Sequence, residues 1–88
     1  MTSTYLDGNA AAGALREIFT VDITAATGQC AGCGDVKVFA EAHVYTQAPG
    51  LVARCANCDA VLLRVIATPY DTWLDLQGLA YLRIPTPR

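Results

Sequence analysis

Two Cys-x-x-Cys pairs, Cys30-Ala31-Gly32-Cys33 and Cys55-Ala56-Asn57-Cys58, hold all four cysteines of the chain and limit its folding more than any other feature. A Cys-x-x-Cys turn lets two thiolates converge on one ion while backbone amides point at the sulfurs. Two such turns supply the four soft ligands of a tetrahedral structural zinc site. Twenty-one residues, 34–54, separate the pairs, close to the spacer of about 15–20 usual for such sites. The spacing predicts one Zn²⁺ held by Cys30, Cys33, Cys55 and Cys58. Three other readings are weaker. Two disulfides would suit a secreted mini-protein, but the first residues lack the basic start and apolar core of a signal peptide, so a cytoplasmic chain with reduced thiols is expected. A dithiol redox centre needs only one pair, with one exposed thiol of lowered pKa. Four buried cysteines acting as small hydrophobes would leave the repeated spacing unexplained.

A chain of 88 residues makes one domain, and at this size a metal staple adds usefully to the core. It is 53% hydrophobic and 16% charged, the balance of a folded globule and not of a disordered segment. Asp, Thr, Gly or Arg interrupt the apolar residues every few positions. No run approaches the roughly 18–20 needed to cross a bilayer, and no membrane association is expected. The formal charge is −2, and four thiolates with one divalent ion would bring it to about −4. The basic residues Arg16, Lys37, Arg54, Arg64, Arg83 and Arg88 form no cluster of three. That scatter argues against the basic stripe with which nucleic-acid binders displace counterions.

Along the chain, residues 1–8 read as a flexible N-terminus, 9–84 as the domain and 85–88 as a flexible tail. Asp7 and Asn9 are both good helix N-caps. Ala11, Ala14, Leu15 and Ile18 then form one helical stripe, with Arg16 and Glu17 outward and Gly13 marking a close approach to the sheet. Thr20 to Thr24 reads as extended, or as a turn capped by Asp22. Phe39 to Tyr45 alternates as a strand, with Ala40, Ala42 and Val44 opposite Phe39, Glu41, His43 and Tyr45. Gln47-Ala48-Pro49-Gly50 fits a type II turn, and Leu51 to Arg54 returns to the second pair. Val61 to Thr68, the most apolar strand, is expected to be central and buried on much of both faces. Trp73 to Leu76, a reversal at Gln77-Gly78 and a last strand Ala80 to Ile84 complete the chain. The fold class is small α+β, mainly β: a zinc ribbon with two knuckles at hairpin tips, an antiparallel sheet of four to five strands and one N-terminal helix.

Within the knuckles, Gly34 after Cys33 permits a left-handed turn that presents its amide to sulfur. Asp59 holds the matching place after Cys58, and aspartate tolerates that region better than most residues. Other chemistry is sparse. Glu41 and His43 share a strand face, but an isolated pair of this kind is more often solvated than catalytic, and four thiolates already close the site to His43. Serine occurs once, at Ser3. Trp73, Tyr70, Tyr81 and Tyr45 are expected to fill the sheet face beneath the helix, with a partner surface as the alternative.

The strings Asp7-Gly8-Asn9-Ala10, Cys30-x-x-Cys33-Gly34, Ala42-His43-Val44-Tyr45, Ala48-Pro49-Gly50-Leu51-Val52, Arg54-Cys55-x-x-Cys58 and Trp73-Leu74-Asp75-Leu76-x-Gly78 carry a family likeness. The chain resembles an uncharacterised family of short zinc-ribbon-like proteins from high-GC Gram-positive bacteria, a domain of unknown function. The resemblance spans about Asp7 to Ile84. It implies a fold and a metal but no activity, and it associates the chain with operons for flavin- and molybdenum-type oxidoreductases. The knuckles also resemble those of rubredoxins, which hold one iron, although Pro after Cys55 and Gly after Cys58 are missing. The expectation is a non-enzymatic zinc-binding module whose partner is another protein, an oxidoreductase among the candidates. A rubredoxin-like iron carrier is the first alternative and a nucleic-acid-binding ribbon the second. Oligomeric state is left open.

Overall fold

A computed structural model describes residues 5–16, 18–19, 21–46 and 50–85. Among the described residues there are eight strands: β1 Leu6–Asp7, β2 Thr27–Cys30, β3 Val36–Val38, β4 His43–Tyr45, β5 Gly50–Arg54, β6 Val61–Ala67, β7 Thr72–Asp75 and β8 Leu79–Arg83. They form two antiparallel sheets, where one was expected. The larger runs β1-β4-β5-β6-β7 and the smaller β3-β2-β8.

Period-two alternation sets the inner face of the larger sheet. Val44, Ala53 and Leu63 lie in register across β4, β5 and β6, each at most 1% exposed. Leu51 and Val65 extend this face. Burying a side chain such as Leu63 contributes about 2 kcal/mol. Against the face pack Ala11, Leu15, Ile23 and Phe39 from the segments before and between the strands. The strand β6 is interior to the sheet as expected, but it is not buried on both faces, because Arg64 and Ile66 point to solvent. A bulge opposite Ala53 and Arg54 inserts Leu62 beside Leu63, so that both are buried. Bulges of this kind re-aim a side chain where a sheet ends.

The one α-helix among the described residues, α1 Ala12–Arg16, is shorter than the apolar stripe implied. A 3₁₀ turn over Gly8–Ala11 precedes it, with Asp7 as N-cap accepting from the Asn9 amide at 3.0 Å. Only Ala11 and Leu15 of the stripe are buried; Ala14 and Ile18 are exposed. A methyl group at Gly13 would meet nothing within 4 Å, so the close approach is elsewhere. It is at Gly8, where a Cβ would collide with the Phe39 carbonyl. Residues 6–8, expected within a loose start, therefore form a strand and a packed turn. Residues 1–4 and 86–88, Glu17 with its expected outward side chain, Thr20 and the expected turn at Gln47-Ala48-Pro49 lie outside the described residues.

Of the two readings of residues 20–24 the turn is the one realised, and three other expectations change. Asp22 does cap a turn: its Oδ1 accepts from the Thr24 amide and hydroxyl, at 3.1 and 2.6 Å, over a 3₁₀ segment Ile23–Ala25. The stretch 39–45 is not one strand, because Phe39–Glu41 forms a 3₁₀ turn that buries Phe39 and leaves only β4 extended. The last strand, β8, pairs with β2 and not with its neighbour β7. The chain thus crosses from one sheet to the other at residues 76–78, and the Ala31 amide donates to the Gly78 carbonyl at 2.9 Å. The aromatics do not fill the core: Tyr70 is 92% exposed, Trp73 65% and Tyr81 45%. Among the described residues no helix is long and apolar enough to cross a membrane.

Candidate metal centre

Each sheet contributes one knuckle at a hairpin tip. The β2–β3 hairpin presents Cys30 and Cys33, and the β5–β6 hairpin presents Cys55 and Cys58. The two turns share one backbone plan. The first cysteine's amide donates to the carbonyl five residues on, Cys30 to Asp35 at 2.9 Å and Cys55 to Ala60 at 2.8 Å. Its carbonyl accepts from the amide four residues on, Gly34 and Asp59, both at 2.9 Å. At that fourth place φ is +79° for Gly34 and +68° for Asp59, the left-handed turn the sequence anticipates at both positions, although the Gly34 amide meets the Cys30 carbonyl and not a sulfur. The residue before each knuckle braces the same carbonyl: Gln29 Nε2 donates to Gly34 O at 3.2 Å and Arg54 Nη1 to Asp59 O at 2.9 Å.

The four Sγ atoms lie within 4.8 Å of one another. Cys30 to Cys58 and Cys33 to Cys55 are each 3.7 Å apart across the knuckles. That is far beyond the ~2.05 Å of a disulfide, and a tetrahedron with metal–sulfur bonds of about 2.3 Å has edges of about 3.8 Å. The donor set therefore fits a metal ion. Cys30 and Cys55 are buried at 3% and 5% exposure, whereas Cys33 and Cys58 face solvent. Behind the buried pair, a cavity of about 30 Å³ is lined by Cys30, Cys55, Phe39 and Leu62 together with the charged Asp35, Lys37 and Glu41. Such a space holds about one water.

Asn57 belongs to this site as well, although nothing in the sequence pattern singles it out. Its backbone amide donates to Cys55 Sγ at 3.3 Å and its side-chain Nδ2 to Cys33 Sγ at 3.4 Å. The Asn57 side-chain amide, followed by the Asp35 backbone N–H, draws the Cys33 thiol down to about 7. The Ala60 N–H pulls the Cys58 thiol down as well, but desolvation and the other three sulfurs outweigh it and push that thiol up to about 12. An unshared proton is thus hardest to remove where the sulfurs crowd without a charge to balance them.

The other sequence candidates do not join the sulfur cluster, although Glu41 lines the cavity behind Cys30 and Cys55. Glu41 sits in the 3₁₀ turn and not on the strand with His43. His43 stacks on Tyr5, with ring centroids 3.7 Å apart and planes at 17°. The described residues hold one group able to bind a metal, and it comprises the four cysteines without His43 or Glu41. Arg54 lies over the Tyr45 ring at 5.8 Å, and Arg64 pairs with Asp75 at 2.6 Å.

In comparison with known proteins, the model of a family of unknown function, DUF6510, matches residues 2–87. No curated protein and no solved structure matches the chain.

Proposed function

The chain belongs to DUF6510, a family of unknown function, and we propose for it a non-enzymatic role as a zinc-ribbon module that holds one Zn²⁺ on Cys30, Cys33, Cys55 and Cys58 and docks on another protein. The observation that carries the metal is the convergence of four sulfurs within 4.8 Å from two separate hairpins. Four thiolates fill a tetrahedral ion, leaving no position for water or substrate, which supports a structural and not a hydrolytic role. The space behind the buried sulfurs, room for about one water, supports the same reading.

Protein docking is supported by the outer face of the larger sheet. Ile66 and Trp73 lie in register there, 37% and 65% exposed. Aromatic side chains placed outside the core are characteristic of interface centres. Arg64 and Arg54, the cations of that face, are already engaged by Asp75 and by the Asp59 carbonyl. Such pairing weakens any attraction for phosphates.

The test is elemental analysis with a visible spectrum on protein expressed in medium supplying both iron and zinc. Equimolar zinc without colour is expected, together with loss of the metal in Cys30→Ser. Iron with absorbance that bleaches on reduction would replace this reading with an electron carrier, and absence of stoichiometric metal would overturn the site. Pull-down from cytoplasmic extract with wild type and Trp73→Ser tests the docking. A partner held by wild type and lost by Trp73→Ser is the expected result.

A further inference from the structure

Asn57 is placed to break the symmetry of the two knuckles. It is the third residue of the second Cys-x-x-Cys turn, and it reaches both hairpins, with its main chain on Cys55 Sγ at 3.3 Å and its side chain on Cys33 Sγ at 3.4 Å. Its counterpart in the first turn is Gly32. A methyl at Gly32 would stand 3.7 Å from Cys30 Sγ and 3.9 Å from Cys58 Sγ, so a side chain there would face the opposite sulfur as Asn57 does. Glycine places no hydrogen-bond donor there, and the nearest neighbour of that point is the apolar Ala60 methyl at 3.6 Å. Of the two solvent-facing sulfurs, Cys33 thus carries a side-chain amide from across the site, and Cys58 has no such cover from the first knuckle.

We propose that Asn57 is a positioning residue, a cross-knuckle clasp that shields Cys33 and ties it to the second hairpin, so that the metal is released and the site attacked first at Cys58. This rests on the metal-site reading above. An N–H donated to a thiolate draws electron density from the sulfur and costs something to break when the sulfur leaves the ion. Partners of this kind outside the ligand shell commonly change metal affinity by about 10–100-fold when removed. Cys58 is exposed and takes no side-chain donor from Gly32, so no cross-knuckle hydrogen bond has to break when an incoming chelator or electrophile draws it off the ion.

The experiment uses the full chain loaded with zinc and compares wild type, Asn57→Ala and Asn57→Asp. Transfer of the ion to a chromophoric chelator is expected to speed up about tenfold in Asn57→Ala. Asn57→Asp, which sets a carboxylate beside the thiolate, is expected to be faster still. Far-ultraviolet circular dichroism of zinc-loaded Asn57→Ala should match wild type, which separates the clasp from a folding role. Brief iodoacetamide treatment, in which a sulfur displaces iodide and is carbamidomethylated, then maps the order of release by peptide mass. Wild type should be labelled first at Cys58, and Asn57→Ala at Cys33 and Cys58 alike. Labelling of wild type first at Cys33, or a transfer rate unmoved by either variant, would overturn the clasp. Failure of the metal reading is distinct, since wild type would then take up no stoichiometric zinc.

Discussion

Gly34 and Asp59 occupy the same place in the two knuckles and adopt the same left-handed backbone, at φ +79° and +68°. For a residue with a Cβ that conformation costs roughly 1–2 kcal/mol, least for Asn and Asp. The Asp59 carboxylate gains little in return: it stands 4.0 Å from the Arg54 guanidinium, while the firmer contact of Arg54 is to the Asp59 carbonyl, which any residue would supply. Asp59→Gly is therefore expected to be as stable as wild type or slightly more so. Asp59→Ala is expected to lose about 1 kcal/mol in denaturant unfolding at saturating zinc. Equal stability of the two variants would contradict this. Both positions are legible in the sequence because a left-handed turn after a Cys-x-x-Cys pair is local chemistry. The clasp of Asn57 on Cys33 is not, since it links residues 24 apart in the chain and only the meeting of the two hairpins creates it.

At the scale of elements, strands whose alternation is uninterrupted are legible in the sequence and those broken by turns are not. Leu51 to Arg54 and the β6 residues Val61 to Ala67 form strands as the pattern implies, because β-branched and apolar residues there face one continuous core. The stretch 39–45 alternates equally well on paper, yet the Ala42 amide bonds back to the Phe39 carbonyl at 2.9 Å and folds its first half into a 3₁₀ turn. Tertiary packing of Phe39 against the Gly8 turn decides the matter, and no local propensity reports it. The aromatics depart from expectation for a related reason. Trp73 falls in register with Ile66, one residue out of phase with Leu74 and Val65 on the inner face, and a slip of one residue turns every side chain to the other side. Two substitutions separate the faces. Leu63→Ala, at 1% exposure, should cost about 3 kcal/mol through lost burial and a residual cavity. Trp73→Ser should change stability by no more than about 0.5 kcal/mol. A large loss for Trp73→Ser would mean that the outer face is covered within the monomer.

Across the whole molecule, the two sheets meet where the four sulfurs converge, with one knuckle from each, and the Ala31–Gly78 hydrogen bond crosses the same junction. A metal bound there would join the two hairpins, and its binding free energy would then be largely folding free energy. Protons compete for the same sulfurs, and the direction of that competition follows from the two shifted thiols. In the metal-free chain Cys58 is pushed up to about 12 and stays protonated throughout the neutral range. Zinc must displace that proton at any pH in the range. Cys33 is drawn down to about 7, so above about pH 8 it meets the ion already ionised, and below about pH 6 it too must give up a proton. Protons released per zinc bound should therefore rise by about one as the pH falls from 8 to 6. The apparent zinc affinity should fall more steeply with acid over that interval than above it. Titration calorimetry in buffers of differing ionisation enthalpy counts these protons directly. In Asn57→Ala the main cause of the Cys33 shift is gone, so the added proton should appear at higher pH, toward the ordinary thiol range. A proton count constant from pH 6 to 8 in wild type would show that the sulfurs do not divide in this way, and that the exposed pair meets the metal as two equivalent thiols.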